Sequence, residues 1–258
     1  MGSSTIVHSN LAKGIKALQW CLSHPGSTAR SVGRGLAQIY RQRMEARSPL
    51  PAVALRELAT PDHEVMLLDF EGRDGNVSLY ELLVICSLVR SRRPKTILEI
   101  GTFDGNSTLQ MAINSPDDAE IFTLDLPPDP SSAQARLDAK DHAYIEDAQK
   151  QRRRRYEESS QAHKVTQLLG DSASFDFGAL FASRPVDFAF IDGSHSYEYV
   201  RNDTAKVRAV LAPHGVILWH DYKPAWPGVI TYLEELEAEL TLRRIDGTSL
   251  VMLDRSGR

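Results

Sequence analysis

The stretch Thr96–Thr108, TILEIGTFDGNST, constrains the fold more than any other part of the chain. Ile97, Leu98 and Ile100 form a short apolar run interrupted by Glu99, which suits a buried strand. Gly101 and Gly105 follow, then Asn106, Ser107 and Thr108 ahead of the helix-like LQMAI. Strand, tight glycine turn and helix start, in that order, make a ligand cradle. Glycine lets the backbone approach a ligand, and a helix N-terminus presents unpaired N–H groups. The turn lacks both the G-x-G-x-x-G dinucleotide fingerprint and the G-x-x-x-x-G-K-[ST] phosphate loop. An acid on the strand, Glu99, repels a pyrophosphate but suits an amine-bearing or cationic ligand.

Strand-like and helix-like segments alternate through the rest of the chain, which predicts an α/β fold. Ser78, with Glu81 three residues on, predicts a capping box opening the helix LYELLVICSLVR. IFTLDL (121–126) reads as a strand ending at Asp125, a carboxylate suited to the two hydroxyls of a ribose. VTQLL (165–169) precedes Asp171 and Ser172, a pair able to meet an adenine edge. VDFAFID (186–192) ends in Asp192, with His195 three residues later. VILWHDY ends in His220 and Asp221. Ligands of an open parallel sheet bind at the carboxyl ends of its strands, so these polar groups are expected on one edge. Two carboxylates there suit a hard divalent cation such as magnesium. An imidazole, ordinarily titrating near ~6.5, is fit to act as a general base at neutral pH.

The segment DFAFIDGSHSYEYVRNDTAKVRAVLAPHGVILWHDY, together with E-x-G-x-x-x-G-x-S, resembles the class I S-adenosylmethionine (SAM)-dependent O-methyltransferases with an IDG-x-H-x-Y motif. The plan is similar to that of catechol O-methyltransferase and of metal-dependent sugar and macrolide O-methyltransferases. The resemblance covers 75–253. It implies a Rossmann-like, seven-stranded, mostly parallel sheet with an antiparallel C-terminal hairpin around Asp246–Gly247. It implies SAM held by Glu99, Gly101, Thr102, Phe103, Ser107, Asp125, Leu126, Asp171, Ser172 and Asp192, with Val77 and Ser78 closing over it. It implies a metal at Asp192 and Asp221, with His195 at the position of the base. Beside the second metal aspartate, where the family usually has an acid or amide, stands His220 (or, read the other way, Tyr222). His220 is open either as a third ligand or as a structural hydrogen-bonding group, and it brings manganese or zinc into consideration beside magnesium.

At 258 residues the chain suits a helical extension over 1–70 and a methyltransferase domain over 71–258, with an insert at 127–164. Leu11, Ile15, Leu18 and Leu22 predict one N-terminal helix; Arg30–Arg47 predicts a second, basic one. Their apolar faces offer a surface for a second subunit. Residues 52–70 read as another short helix leading into a loop. The run Arg152–Arg155 reads as part of a solvated helix paired with Glu157 and Glu158. A net charge of −4 argues against general nucleic-acid binding, and no apolar stretch is long enough for stable membrane insertion, so a cytoplasmic protein acting on a small molecule is expected. Trp219, by strand alternation, belongs to the core, whereas Tyr197, Tyr222 and Trp226 are candidates for an acceptor pocket. Three other readings are compatible with these residues: a metal-independent methyltransferase using His195 alone, a hydroxylase-like metal enzyme on the same scaffold, and a non-catalytic SAM-binding module.

Overall fold

The computed structural model describes residues 48–60, 64–70, 75–127 and 153–257; the two N-terminal helices and most of the insert expected from the sequence lie outside them. Pro49–Arg258 packs as one compact unit. Its elements run β1 (Ala52–Val53), α1 (Leu55–Leu58), α2 (Leu79–Arg92), β2 (Thr96–Ile100), α3 (Asn106–Asn114), β3 (Glu120–Asp125), β4 (Val165–Leu169), α4 (Phe177–Leu180), β5 (Val186–Ile191), α5 (Tyr197–Val210), β6 (Leu211–Trp219), α6 (Pro227–Leu236), β7 (Leu242–Ile245) and β8 (Val251–Asp254). Two 3-10 turns, Arg155–Glu158 and Ala162–Lys164, precede β4.

The strands form a single sheet in the order β1-β7-β8-β6-β5-β2-β3-β4. Only β8 runs antiparallel to its neighbours, β6 and β7. The seven expected strands and their C-terminal hairpin are therefore present, and an eighth is added. The residues read as the start of a helix, Ala52–Val53, instead pair parallel with β7. The helix there shrinks to Leu55–Leu58. Residues 64–70 form no regular element, and α3 side chains hold part of them as a neighbouring strand would. Asn114 brackets Met66 (Met66 N–H to Oδ1 3.0 Å, Nδ2 to Met66 O 2.7 Å), and Gln110 brackets Leu68 (3.0 and 2.7 Å).

The order of addition reverses beside β2: β3 and β4 build outward on one side, β5 and β6 on the other. That switch opens a crevice beyond the carboxyl ends of β2 and β5, the usual ligand position in such sheets. All five residues of β2 are buried, and apolar clusters cover both sheet faces. One gathers Leu98, Phe122, Ala189, Ile217 and Trp219, the other Ile97, Ile121, Phe188, Leu218 and Met252. Trp219 is enclosed as expected and donates its indole N–H to Thr204 (2.8 Å). α2 opens with the expected capping box, Ser78 accepting from the Glu81 N–H while Glu81 accepts from Ser78. Among the described residues no helix is long and apolar enough to cross a membrane.

Candidate active site

The turn after β2 is shaped by two glycines. Gly101 has φ +100°, and a Cβ on it would lie 2.1 Å from the carbonyl oxygen of Asp192. The backbones leaving β2 and β5 thus touch, and the Asp192 N–H bonds the Ile100 carbonyl at 2.8 Å. Gly105 (φ +80°) caps α3, and the Tyr156 ring lies where its side chain would be. Asp125, at the end of β3, accepts from the Phe103 N–H (3.1 Å) and the Leu126 N–H (2.8 Å). Burial raises its carboxyl above the ordinary carboxylate range, against the pull of Arg154.

A cavity of about 220 Å³ fills the crevice. Val77, Gly101, Thr102, Phe103, Ser107, Asp125, Leu126, Asp171, Ser172 and Asp192 all line it, as do His195, His220 and Asp221. Two residues of the expected cofactor set stand elsewhere. Ser78 is occupied as the cap of α2. Glu99 lies beneath the cavity floor, fully buried, accepting from the hydroxyls of Thr108 and Thr123. Its carboxyl is pushed up to about 7, by burial foremost, with the threonine hydrogen bonds opposing. Glu99 therefore ties β2 to the start of α3 and to β3.

At the other end of the cavity the strand-end groups form an ionic cluster. His195 Nε2 is 2.6 Å from Asp221 Oδ2, and the imidazole stacks on Trp226 (centroids 3.8 Å apart, planes at 12°). His220 directs Nδ1 at Asp192 Oδ1 (2.9 Å) and Asp221 Oδ1 (3.2 Å), and Nε2 toward Glu81 Oε2 (3.5 Å). Burial opposes its charge, but the surrounding carboxylates, Asp192 and Asp221 foremost, raise its pKa well above the ordinary value. With both ring nitrogens turned to carboxylates, His220 is placed to cross-link the cluster. Among the described residues the group whose ligand atoms lie within 4.8 Å of one another is Asp192, His195 and Asp221. Tyr222 and Tyr197 turn toward α6, donating to Glu234 (2.9 Å) and Glu235 (2.6 Å), and Trp226 backs His195.

Lys223 and Glu81 also belong to this cluster, where the sequence reading does not place them. Lys223 Nζ is 2.6 Å from Asp221 Oδ1. Its position two residues beyond Asp221 was the available signal. Glu81 was read as a capping residue alone. Its second oxygen also accepts from the Ser249 N–H (2.8 Å) and hydroxyl (2.7 Å), tying α2 to the β7–β8 connection. Asp221 itself has φ +65°, a backbone conformation that costs a non-glycine residue energy and concentrates at functional sites.

The arginine run departs from expectation. Arg153 pairs with Glu158 at the surface (2.8 Å), as foreseen. Arg154 and Arg155 fold inward. Arg154 donates to the Phe103 carbonyl and lies 3.6 Å from Asp125. Arg155 binds Asp104 (2.9 Å) and the Asp69 carbonyl (2.7 Å). The end of the insert is thus fastened over the glycine turn, because Asp104 and Asp125 offer carboxylates that a solvated helix would leave unanswered.

These groups set opposing slopes of stability with pH, and the cofactor-free protein is expected to melt highest near about pH 5. Burial holds Glu99 at about 7 and Asp203, on α5, at about 6, above their ordinary 4.5 and 3.8, so acidification from neutral pH stabilises the fold. His220 acts in the same sense: its contribution is full below its ordinary 6.5 and is lost as pH rises through its folded value. Glu81 and Asp221 act oppositely. Burial opposes their charge, but His220 and their other partners hold both below the ordinary 4.5 and 3.8, so their contribution disappears as pH falls further. Melting curves from pH 3 to 8 test this, and Glu99→Gln should flatten the neutral arm. A midpoint that climbs steadily from pH 5 to 8 would contradict it.

Residues 98–222 match a family model described as a methyltransferase domain. A sequence search among curated proteins finds no significant match. Among solved structures, the chain is similar to the O-methyltransferase TomG from Streptomyces achromogenes, involved in tomaymycin synthesis, in complex with SAM. The identity is 21%, covering 70% of this chain and 81% of that one, with a TM-score of 0.51. It is also similar to cofactor-bound Rv0187 from MTB, at 16% identity over 72% of this chain and 84% of that one, with a TM-score of 0.52. At such identities the likeness establishes the fold, and the chemistry has to be argued from the site.

Proposed function

We infer that this chain, a SAM-dependent methyltransferase of the class I fold, methylates a hydroxyl oxygen of a small molecule. The observation that carries this reading is the meeting of His195, Asp192 and Asp221 on the wall of the cavity that the β2–α3 turn and Asp125 also line. In this reading the ribose hydroxyls of SAM bind Asp125, its base lies against Asp171 and Ser172, and its amino-acid end approaches the start of α3. The sulfonium methyl then faces the His195 end.

A sulfonium carbon is attacked by an oxygen that has lost, or is losing, its proton. His195 accepts that proton, the acceptor oxygen bonds the methyl carbon, and the carbon–sulfur bond breaks to leave the neutral thioether. Asp221, 2.6 Å from the imidazole, stabilises the imidazolium as it forms, and Trp226 fixes the ring plane. Holding both reactants in line supplies a large part of the acceleration.

The donor set also fits a divalent cation. Asp192 and Asp221 offer the oxygens that magnesium and manganese prefer, which leaves His195 as the proton acceptor. A cation there would make a bound hydroxyl more acidic. The contact of Lys223 with Asp221 favours a second reading, in which His195 acts as the base without a metal.

Calorimetry with SAM and S-adenosylhomocysteine, then methyl transfer to a panel of sugars, phenols and polyketides with and without chelator, tests the scheme. Micromolar binding with transfer to a hydroxyl supports it, and loss of transfer on chelation with recovery on added magnesium selects the metal-assisted form. Absence of cofactor binding under every condition would overturn it.

A further inference from the structure

The turn that follows β4 lines the cavity through Gly170, Asp171 and Ser172. It is tightly wound: the Asp171 carbonyl accepts from the N–H groups of Ser174 (3.0 Å) and Phe175 (2.8 Å), and its carboxylate accepts from the Ala173 N–H (2.9 Å). Winding a turn this way leaves successive carbonyls pointing out of it. α5 supplies their partners. Lys206 Nζ donates to three of them, the carbonyls of Ser172 (2.8 Å), Ala173 (2.7 Å) and Phe175 (3.1 Å). An ammonium has three donors and no acceptor, so these bonds satisfy it completely. One turn earlier on the helix, Asn202 reaches the Ser172 carbonyl (3.3 Å), and the buried Asp203 carboxyl is hydrogen-bonded to Ser172.

We propose that the Asn202–Lys206 face of α5 presets the turn that receives the adenine end of the cofactor, with Lys206 as its positioning residue. The proposal rests on the reading of the cavity as a SAM site. Three charge-assisted bonds to consecutive parts of one short turn hold its backbone in a single arrangement before the cofactor arrives. A ligand that meets a preset turn loses less of its binding energy to ordering it. Lys206 makes these bonds from behind the turn, so its contribution is to cofactor affinity.

The test compares wild type with Lys206→Met, Lys206→Arg and Asn202→Ala, using SAM, S-adenosylhomocysteine and adenosine as calorimetric probes. Lys206→Met keeps an unbranched stem only one atom shorter and removes every donor. Binding of all three probes should weaken by similar factors, about tenfold, which corresponds to about 1.4 kcal/mol. Lys206→Arg should recover much of the loss, and Asn202→Ala, which removes one bond, should show a smaller shift of the same kind. Hydrogen exchange should quicken over 171–176. Unchanged affinity in Lys206→Met would overturn the proposal. So would a loss confined to SAM with adenosine binding intact, because the effect would then lie away from the base end. Should Lys206→Met fail to fold, Asn202→Ala still decides the matter by whether adenosine binding weakens. Wild-type protein that binds none of the probes would instead remove the reading of the cavity, and the proposal with it.

Discussion

Replacement of His195 by alanine is expected to lower kcat by about 10²–10⁴-fold, the range that positioned general acid–base groups contribute, and to leave SAM affinity within about threefold of wild type. The asymmetry follows from geometry. His195 stands at the end of the cavity where Asp192, Asp221 and Lys223 gather, away from Asp125, proposed above to bind the ribose, and the turn at Asp171–Ser172. Its imidazole pairs with Asp221 and stacks on the face of Trp226. Removing the ring takes away the proton acceptor and leaves Asp221 still held by Lys223 and His220. The cluster should therefore survive, and the loss should appear in turnover. Single-turnover methyl transfer, measured beside SAM binding on the same preparation, separates the two. Turnover preserved in His195→Ala would move the base elsewhere or make the acceptor one that needs none. Weaker SAM binding in proportion to lost turnover would show His195 to be a cofactor contact.

The gathering of polar groups at the strand ends was legible because it follows from local pattern. A short apolar run ending in an acid places that acid at a sheet edge, and parallel strands place all such edges together. Asp125, Asp192, His195 and Asp221 were found in this way. Glu99 shows where pattern stops. Its strand is covered on both faces, so no alternation distinguishes a side chain aimed at the cavity from one aimed into the packing. Thr108 on α3 and Thr123 on β3, which accommodate it, come from other elements. Arg154 and Arg155 were misread for a related reason. Their partners, Asp104 and Asp125, precede them by some thirty to fifty residues, whereas Glu157 and Glu158 stood close in sequence. β1 escaped because two residues are too few for any period, and only the open edge of β7 makes them a strand. Lys223 and the second role of Glu81 likewise depend on contacts that exist only once strand ends from distant parts of the chain have met.

Gly101→Ala is expected to be the most damaging single methyl group that can be added to the site, costing on the order of 4 kcal/mol, at the level reached only by core, cap and strained-backbone failures. Two terms add. At φ +100° any side chain strains the backbone. The new Cβ would also lie 2.1 Å from the Asp192 carbonyl oxygen and 2.6 Å from its carbon. Those are backbone atoms, and Asp192 N–H is hydrogen-bonded to Ile100, so no rotamer change relieves the overlap. β2 and β5 have to separate at the crevice, which displaces Asp192 and His195 from the cofactor turn together. For a unit of about 200 residues the melting point should fall by roughly 8–16 °C, and SAM binding should be lost in whatever remains folded. Gly247→Ala provides the internal comparison. It carries the same backbone penalty at φ +76°, but its nearest neighbour is the Tyr80 ring at 3.2 Å, part of a half-exposed side chain that can move. That variant should cost about 1 kcal/mol and keep SAM binding. Equal losses in the two variants would mean that backbone strain alone accounts for the effect, and that β2 and β5 do not touch at Gly101 as the structure has them.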